Sequence, residues 1–293
     1  MIIVTGATGQ LGSRIVERLL TRVPADQVGV SVRDPSKARA LADRGVRVRQ
    51  GSFTEPASLR GAFAGASQVL IVSVDKMGEE CVRQNRTAID AAVAAGARRI
   101  LYTSQMGASA SSRFQACRDH AATEDALRAS GVPFTALRNG FHATSAVQLL
   151  GHAARSGDIA LPADGPVCWT AHDDLAAAAA AILADEGRFD GPTPPLTAAR
   201  ALTFDDIAGL AAEVTGRAFT RTTIPDEVYV KQLTAGGVPA AAANQVLGIF
   251  AASRAGEFAT ADPTLATLTG RDPVPLRTLL REHLALTDQR PRA

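Results

Sequence analysis

The chain has 293 residues and a formal net charge of +2, with 46% hydrophobic and 20% charged residues. That length holds one large domain or two modest ones with ample core, and the near balance of charge removes the electrostatic reason to expect nucleic acid or an acidic membrane as the main partner. Cys81, Cys117 and Cys168 are odd in number, widely spaced and in no CxxC pair; neither a disulfide framework nor a zinc site is favoured, and a reducing compartment is expected. The skew of Arg over Lys, which stands only at Lys37, Lys76 and Lys231, reads as coding bias. The longest strongly apolar stretch, Leu175 to Ala184, is too short to span a bilayer. Ile2 to Val4 is already strand-like, with no basic segment or cleavage site before it, so a cytoplasmic protein is expected.

In chain order, Ile2 to Thr5, Val28 to Val32, Val46 to Gln50, Val69 to Ser73, Ile100 to Ser104 and Phe134 to Arg138 read as strands. The segments between them read as helices. Asp34-Pro35 caps one that Gly45 closes, Thr54 caps the next as far as Gly65, Glu79 to Ala95 ends at Gly96, and Cys117 to Ser130 ends at Gly131. Strand and helix alternation of this kind predicts an α/β fold with a parallel sheet wrapped by helices. Beyond Asn139 the rhythm changes. A helix is expected over Ala143 to Arg155, a loop rich in Pro and Gly follows, and another helix starts near Asp173. Leu196 to Ala198 reads as a late strand after the Pro-rich Pro192 to Pro195. Thr203, followed by Asp205 and Asp206, opens a helix that ends before Gly216. From there to Leu284 mainly helices are expected. The division predicted is a dinucleotide-binding core over 1–142, completed by the strand near 196–198, a substrate lobe over 143–287, and a frayed tail over 288–293.

The strongest chemical signal is Gly6-Ala7-Thr8-Gly9-Gln10-Leu11-Gly12, set between a strand and a helix. The first glycine permits a tight turn, the second lets the backbone approach a pyrophosphate, and the third lets the helix pack closely. Backbone N–H groups at the helix start, from Thr8 to Leu11, then meet the phosphates. At the end of the second strand a NAD site usually carries an acidic residue, whereas here stands Arg33. Asp34 is read as a helix cap. Arg33 with Lys37 can pair a 2′-phosphate; the alternative is a solvated basic edge. No YxxxK pair exists, because Tyr102 and Tyr229 are followed four positions on by Met106 and Leu233. An enzyme without that tyrosine acid favours acceptors, such as quinones, whose reduced anion is well stabilised. No G-x-S-x-G elbow, H-E-x-x-H helix or Walker lysine is present, the five histidines are dispersed, His172 reads as a helix start, and no metal is expected.

Together the GATGQLG loop, Val32 to Lys37, Tyr102-Thr103-Ser104, His120 with Thr123-Glu124, and Leu137 to Phe141 resemble the NmrA-like atypical short-chain dehydrogenases. The likeness includes their bacterial type 2 NADPH:quinone oxidoreductases and triphenylmethane reductases. Asp173 to Ala176 and Asp262 to Leu279 carry it further, over nearly the whole chain. The resemblance implies a Rossmann-type doubly wound sheet with a smaller, mainly helical lobe, and NADPH at the carboxyl edge. It places Arg33 and Lys37 at the 2′-phosphate, Phe53 by the adenine, Ser73 and Val74 near the ribose and pyrophosphate, and Ser104, Asn139, Gly140 and Phe141 near the nicotinamide, with Thr103 also among the cofactor-binding residues. Ser52 stands where many relatives have Asp. Ser104, His120 and Asn139 are the candidate catalytic residues, with an exposed polar role as the alternative for His120. The expected activity is hydride transfer from NADPH to a quinone-like or conjugated aromatic acceptor. The alternatives are a redox sensor that binds the dinucleotide without turnover, and a tailoring reductase of enones or imines. The expected partner is a small-molecule substrate, with no nucleic acid bound directly and no membrane, in a monomer or homodimer.

Overall fold

The computed structural model describes residues 1–151 and 156–288. Its strands are β1 (Ile2–Thr5), β2 (Val28–Val32), β3 (Arg47–Gln50), β4 (Gln68–Ile71), β5 (Arg99–Gln105), β6 (Phe134–Asn139), β7 (Phe141–His142), β8 (Asp158–Leu161), β9 (Trp169–Thr170), β10 (Gly191–Pro192) and β11 (Thr220–Thr223). Its helices are α1 (Gln10–Leu19), α2 (Arg39–Ala42), α3 (Pro56–Phe63), α4 (Glu79–Ala94), α5 (Gln115–Ala129), α6 (Ala143–Leu150), α7 (His172–Ala184), α8 (Phe204–Thr215), α9 (Asp226–Ala235), α10 (Ala240–Arg254), α11 (Thr264–Thr269) and α12 (Leu276–Asp288).

Seven strands form one parallel sheet in the order β10-β6-β5-β4-β1-β2-β3, the doubly wound arrangement the resemblance implies. β1, β2 and β4 are buried at every position, so their sequences are runs of Val, Ile and Leu with little alternation. On one face α1 turns Leu11, Ile15, Val16 and Leu19 inward against α7. The alanines of α7 let those helices approach closely, which explains the apolar stretch over Leu175 to Ala184. The opposite face is covered by Leu59 and Phe63 of α3, Ile89 of α4 and Leu127 of α5. A third core, centred on Phe141, Trp169, Phe204, Phe250 and Phe258, builds the later lobe. Among the described residues, no helix is long and apolar enough to cross a membrane.

Several local readings change. β4 stops at Ile71, short of Ser73, because the N–H groups of Val72 and Ser73 are taken by the Thr5 and Thr103 hydroxyls at 2.9 Å. Thr54 does not cap α3, which starts at Pro56 after Glu55, since proline suits a first helical position; the Thr54 hydroxyl bonds Ser52 instead. The late strand expected at 196–198 is displaced. The edge strand is Gly191–Pro192; Pro194 and Pro195, with no N–H to give, interrupt the ladder after it, and at 196 a single bridge joins Leu196 to Asn139 before the Ala198 N–H turns to the Thr170 hydroxyl at 2.9 Å. Thr220–Thr223, expected among helices, pairs in parallel with β8. The Thr203 cap is present as a reciprocal box with Asp206, and Gly216 ends α8 in the left-handed region. The helix expected to Arg155 is seen to Leu150, and 152–155, like the tail beyond 288, lies outside the described residues. Cys81, Cys117 and Cys168 are buried free thiols.

Two glycines test this packing. A Cβ on Gly12 would stand 2.2 Å from the Gly6 carbonyl oxygen, whereas one on Gly61 in α3 meets nothing within 4 Å. Gly12→Ala is expected to destabilise by about 1–3 kcal/mol and Gly61→Ala to stabilise by roughly 0.5–1 kcal/mol, both read from urea unfolding midpoints.

Candidate functional site

β1 and β4 are neighbours, yet α1 leaves toward one face and α4 toward the other, so a crevice opens beyond their carboxyl ends. The glycine loop forms its floor. Gly6 adopts φ +62°, a region that favours glycine, and a Cβ on it would stand 3.2 Å from the Val72 Cβ. Gly9 heads α1 in extended backbone with no side-chain cap, and no acid occupies the first turn. A Cβ on Gly9 would touch only the Gly6 carbonyl, at 3.3 Å, which leaves the space before it open. Thr8 and Gln10 are exposed and Leu11 is buried. The free N–H groups and helix dipole make this end an anion site in character.

Arg33 and Lys37 follow β2 and are exposed, and among the described residues neither side chain has a hydrogen-bond or ion-pair partner. Asp34 is occupied elsewhere. It accepts the Ser36 hydroxyl at 2.6 Å and the Ser36 N–H at 3.0 Å, and these bonds hold its carboxyl below the usual range. Phe53 is half-buried against the core beside α3, and Ser73 and Val74 are half-buried past β4.

On the other side of the crevice, Thr103 is buried with its hydroxyl spent on Ser73 N–H. The buried Ser104 hydroxyl donates to Glu124 Oε1 at 2.6 Å. Glu124, 4% exposed, is gripped by Arg138 through Nε at 3.1 Å and a terminal nitrogen at 2.7 Å. Asn139 is buried and its Oδ1 has no partner. Gly140 is forced by contact, because a Cβ there would fall 2.2 Å from Thr170 Oγ1. Phe141 is packed into the lobe, 5.0 Å from Phe258 and 5.3 Å from Trp169 between ring centroids.

His120 reaches Tyr102 across α5, with Nδ1 2.7 Å from the phenol oxygen. Burial pulls the His120 imidazole down to about 4 and pushes the Tyr102 phenol well above its ordinary value. His142 stacks against His172 with centroids 4.3 Å apart, and burial with the neighbouring imidazoles lowers it to about 3. His172 opens α7, as read from sequence, and is lowered by burial and by Arg14. The structure thus gathers Ser104, His120 and Asn139 on one side and Arg33 with Lys37 on the other. Sequence reasoning gave no role to Tyr102, Glu124, Arg138 or His142. Only the four-residue spacing of His120 and Glu124, which puts both on one face of a helix, could have pointed to part of this set.

A model of the NmrA-like family matches residues 1–273. Quinone oxidoreductase 2 of Escherichia coli (strain K12) is 32% identical over 271 residues, covering 92% of this chain and 94% of that protein. The crystal structure of an NADPH-dependent quinone oxidoreductase from Escherichia coli complexed with NADPH is similar at a TM-score of 0.90 and 31% identity, covering 96% of this chain and 99% of the other. That of Citrobacter sp. triphenylmethane reductase complexed with NADP(H) is similar at 0.88 and 34%, covering 97% and 100%.

The depressed histidines carry a pH dependence. A free imidazole titrates near ~6.5, so as pH falls below that value the unfolded chain takes up protons that the fold refuses. Stability is therefore full above about 6.5 and declines toward the folded values of about 4 for His120 and about 3 for His142. His142→Gln is expected to lose less stability between pH 7 and 5 than the parent, by about 1–2 kcal/mol, measured by urea unfolding at both pH values.

Proposed function

The chain belongs to the NmrA-like family, and from that premise we propose that its crevice binds NADPH and directs hydride to a quinone-like or conjugated aromatic acceptor. The observation that carries the reading is the open, acid-free start of α1, with the unpaired Arg33 standing where a NAD site has a carboxylate. Gly9 and the first N–H groups of α1 would hold the pyrophosphate, and Arg33 with Lys37 the 2′-phosphate. The buried, unpartnered Asn139 Oδ1 suits the amide N–H of a nicotinamide carboxamide. The open space before Gly9 and the free Asn139 Oδ1 support this reading. NADPH supplies the hydride; the protein aligns the acceptor and excludes water.

The acceptor class follows from where protons are held. An aliphatic ketone becomes a strongly basic alkoxide and needs a positioned acid, worth roughly a hundred- to ten-thousandfold in rate. Ser104 is poorly suited to that role, because its proton is committed to Glu124. A quinone spreads the incoming charge into its ring and asks less of a donor. The triphenylmethane reductase and quinone oxidoreductase relatives support acceptors with extended conjugation.

Two measurements test this. By calorimetry the chain is expected to bind NADPH more tightly than NADH, and Arg33→Ala to remove most of a preference of about ten- to a hundredfold, the size of a charge-assisted contact; equal binding of both cofactors by the parent overturns the 2′-phosphate assignment. In initial-rate assays, benzoquinone or naphthoquinone should outpace unactivated aliphatic ketones, with Ser104→Ala slowing the reaction only modestly. Steady turnover with a quinone excludes a sensor that binds without reaction, and no turnover across a broad panel of electrophiles favours one.

A further inference from the structure

The turn that leaves β4 is anchored at both ends. At its start the Val72 and Ser73 N–H groups donate to the Thr5 and Thr103 hydroxyls, and Val72 stands beside the glycine loop, its Cβ 3.2 Å from where a Cβ on Gly6 would lie. At its end Gly78 heads α4 at φ +70°, and no side chain caps it. Its N–H donates instead to Asp119 Oδ2 of α5, at 2.6 Å. Asp75, Lys76 and Met77, between the two anchors, are exposed. Asp119 itself is 4% exposed, and its Oδ1 accepts from Gln115 Nε2 at 2.6 Å. Gln115 Oε1 accepts from one terminal nitrogen of Arg118, and the other donates to the Ser112 carbonyl. The Ser112 hydroxyl donates to Glu257, just after α10, and that carboxylate also accepts the Arg113 N–H at 3.0 Å. An unbroken belt of hydrogen bonds thus runs from the lobe, along the start of α5, to the turn beside the glycine loop. We propose that Asp119 is a positioning residue for the cofactor: it sets the turn from Ser73 to Gly78 as a wall of the phosphate crevice, and through Gln115 and Arg118 the lobe's hold on Ser112 contributes to the affinity for NADPH. This rests on the NADPH reading above and adds to it residues outside the crevice that fix its wall.

The manner of anchoring favours positioning over simple packing. A helix start is ordinarily capped by a Ser, Thr, Asp or Asn of its own. Here a glycine stands at the cap and the acceptor comes from α5, so the place of the turn is referred to the neighbouring helix and not to the one it opens. Asp119 is a buried carboxylate whose two partners are neutral donors, and such a charge is tolerated only while both bonds are made, each of them short and charge-assisted. Gln115, Arg118 and Asp119 share one face of α5 at spacings of three and four residues. The Gln115 amide lies between a cation and an anion, so its orientation is dictated from both sides: reversed, it would aim N–H at Arg118 and oxygen at Asp119. α10 presses on the same segment from the lobe, since a Cβ on Gly248 would lie 3.3 Å from the Phe114 ring and 3.4 Å from the Arg113 carbonyl oxygen. Without Asp119 the Gly78 N–H loses its acceptor and the exposed residues 75–77 hang from the Ser73 end alone. NADPH would then have to order the turn as it binds, and that ordering is subtracted from its affinity.

The test is NADPH calorimetry on the full-length protein, Asp119→Asn, the double variant Asp119→Asn with Gln115→Glu, and Glu257→Gln. Asp119→Asn keeps an oxygen for the Gly78 N–H but sets an NH₂ against the Gln115 NH₂. Adding Gln115→Glu supplies an acceptor there and gives Arg118 a carboxylate, so the belt closes again with its polarity exchanged. The expected result is NADPH affinity about tenfold weaker in Asp119→Asn, mostly recovered in the double variant, and a severalfold loss in Glu257→Gln, which leaves every residue of the crevice in place. With benzoquinone as acceptor the losses should fall on KM for NADPH, with kcat at saturating cofactor close to the parent's. Affinity equal to the parent's in Asp119→Asn, a double variant no better than that single one, or a loss confined to kcat overturns the positioning role. Affinity equal to the parent's in Glu257→Gln overturns the lobe's share in it, and this half-buried site tests the belt even where an Asp119 variant does not fold. A parent protein that binds no NADPH overturns the cofactor reading itself, an outcome distinct from all of these.

Discussion

One buried carboxylate organises the acceptor side of the crevice. Glu124 projects from α5 beneath the ends of β5 and β6, and its two oxygens are shared between the Ser104 hydroxyl and the fork of Arg138. A carboxylate so enclosed is tolerated only when its charge is paired and its lone pairs are occupied, and stripping away its partner would cost about 3–5 kcal/mol. Three elements are thereby held in one relative position. His120 sits one helical turn before Glu124 and Asn139 directly follows Arg138, so the placement of both reactive-side groups is inherited from this ion pair. Ser104, where an acid might be sought, is consumed in building the support.

The parts legible in the sequence were those governed by neighbours in the chain. The glycine loop, the Asp34 turn, the Thr203 box and the left-handed Gly216 each depend on residues within a turn of one another, and the central strands announce themselves as uninterrupted apolar runs. What escaped was decided across distance. Tyr102 and His120 are 18 residues apart, Glu124 and Arg138 are 14 apart, and β8 meets β11 across some sixty residues of chain, so no local period records any of them. The spacing rule for a dehydrogenase tyrosine asks for lysine four residues on, and Met106 stands there. The partner of Tyr102 is a histidine on the next helix. The displaced edge strand is a different case: Leu196 to Ala198 has the composition of a strand and Leu196 N–H does bond the Arg138 carbonyl of β6, but the ladder goes no further because the Thr170 hydroxyl takes the Ala198 N–H.

The core of the lobe is continuous with the end of the sheet. Phe141 comes two residues after Asn139 and enters an aromatic cluster with Phe114, Trp169 and Phe258, in which tilted and edge-on contacts predominate. Trp169 donates its indole N–H to the Leu202 carbonyl, and Gly140 lets Thr170 close against the backbone at the point of entry. The lobe's core therefore grows out of the last full strand, and a change in its packing would be felt at Asn139.

The two margins of the sheet are both unsuited to receiving another strand. At one, Pro192, Pro194 and Pro195 deprive the outer segment of donors; at the other, Arg47 and Arg49 spend their guanidinium groups on carbonyls of Ala62, Ala64 and Gly61 and place charge along β3. Such borders are the means by which parallel sheets avoid edge-to-edge aggregation and domain swapping. A self-association of this protein would have to proceed through helices or through the lobe, and a continuous sheet running from one copy into the next is closed to it.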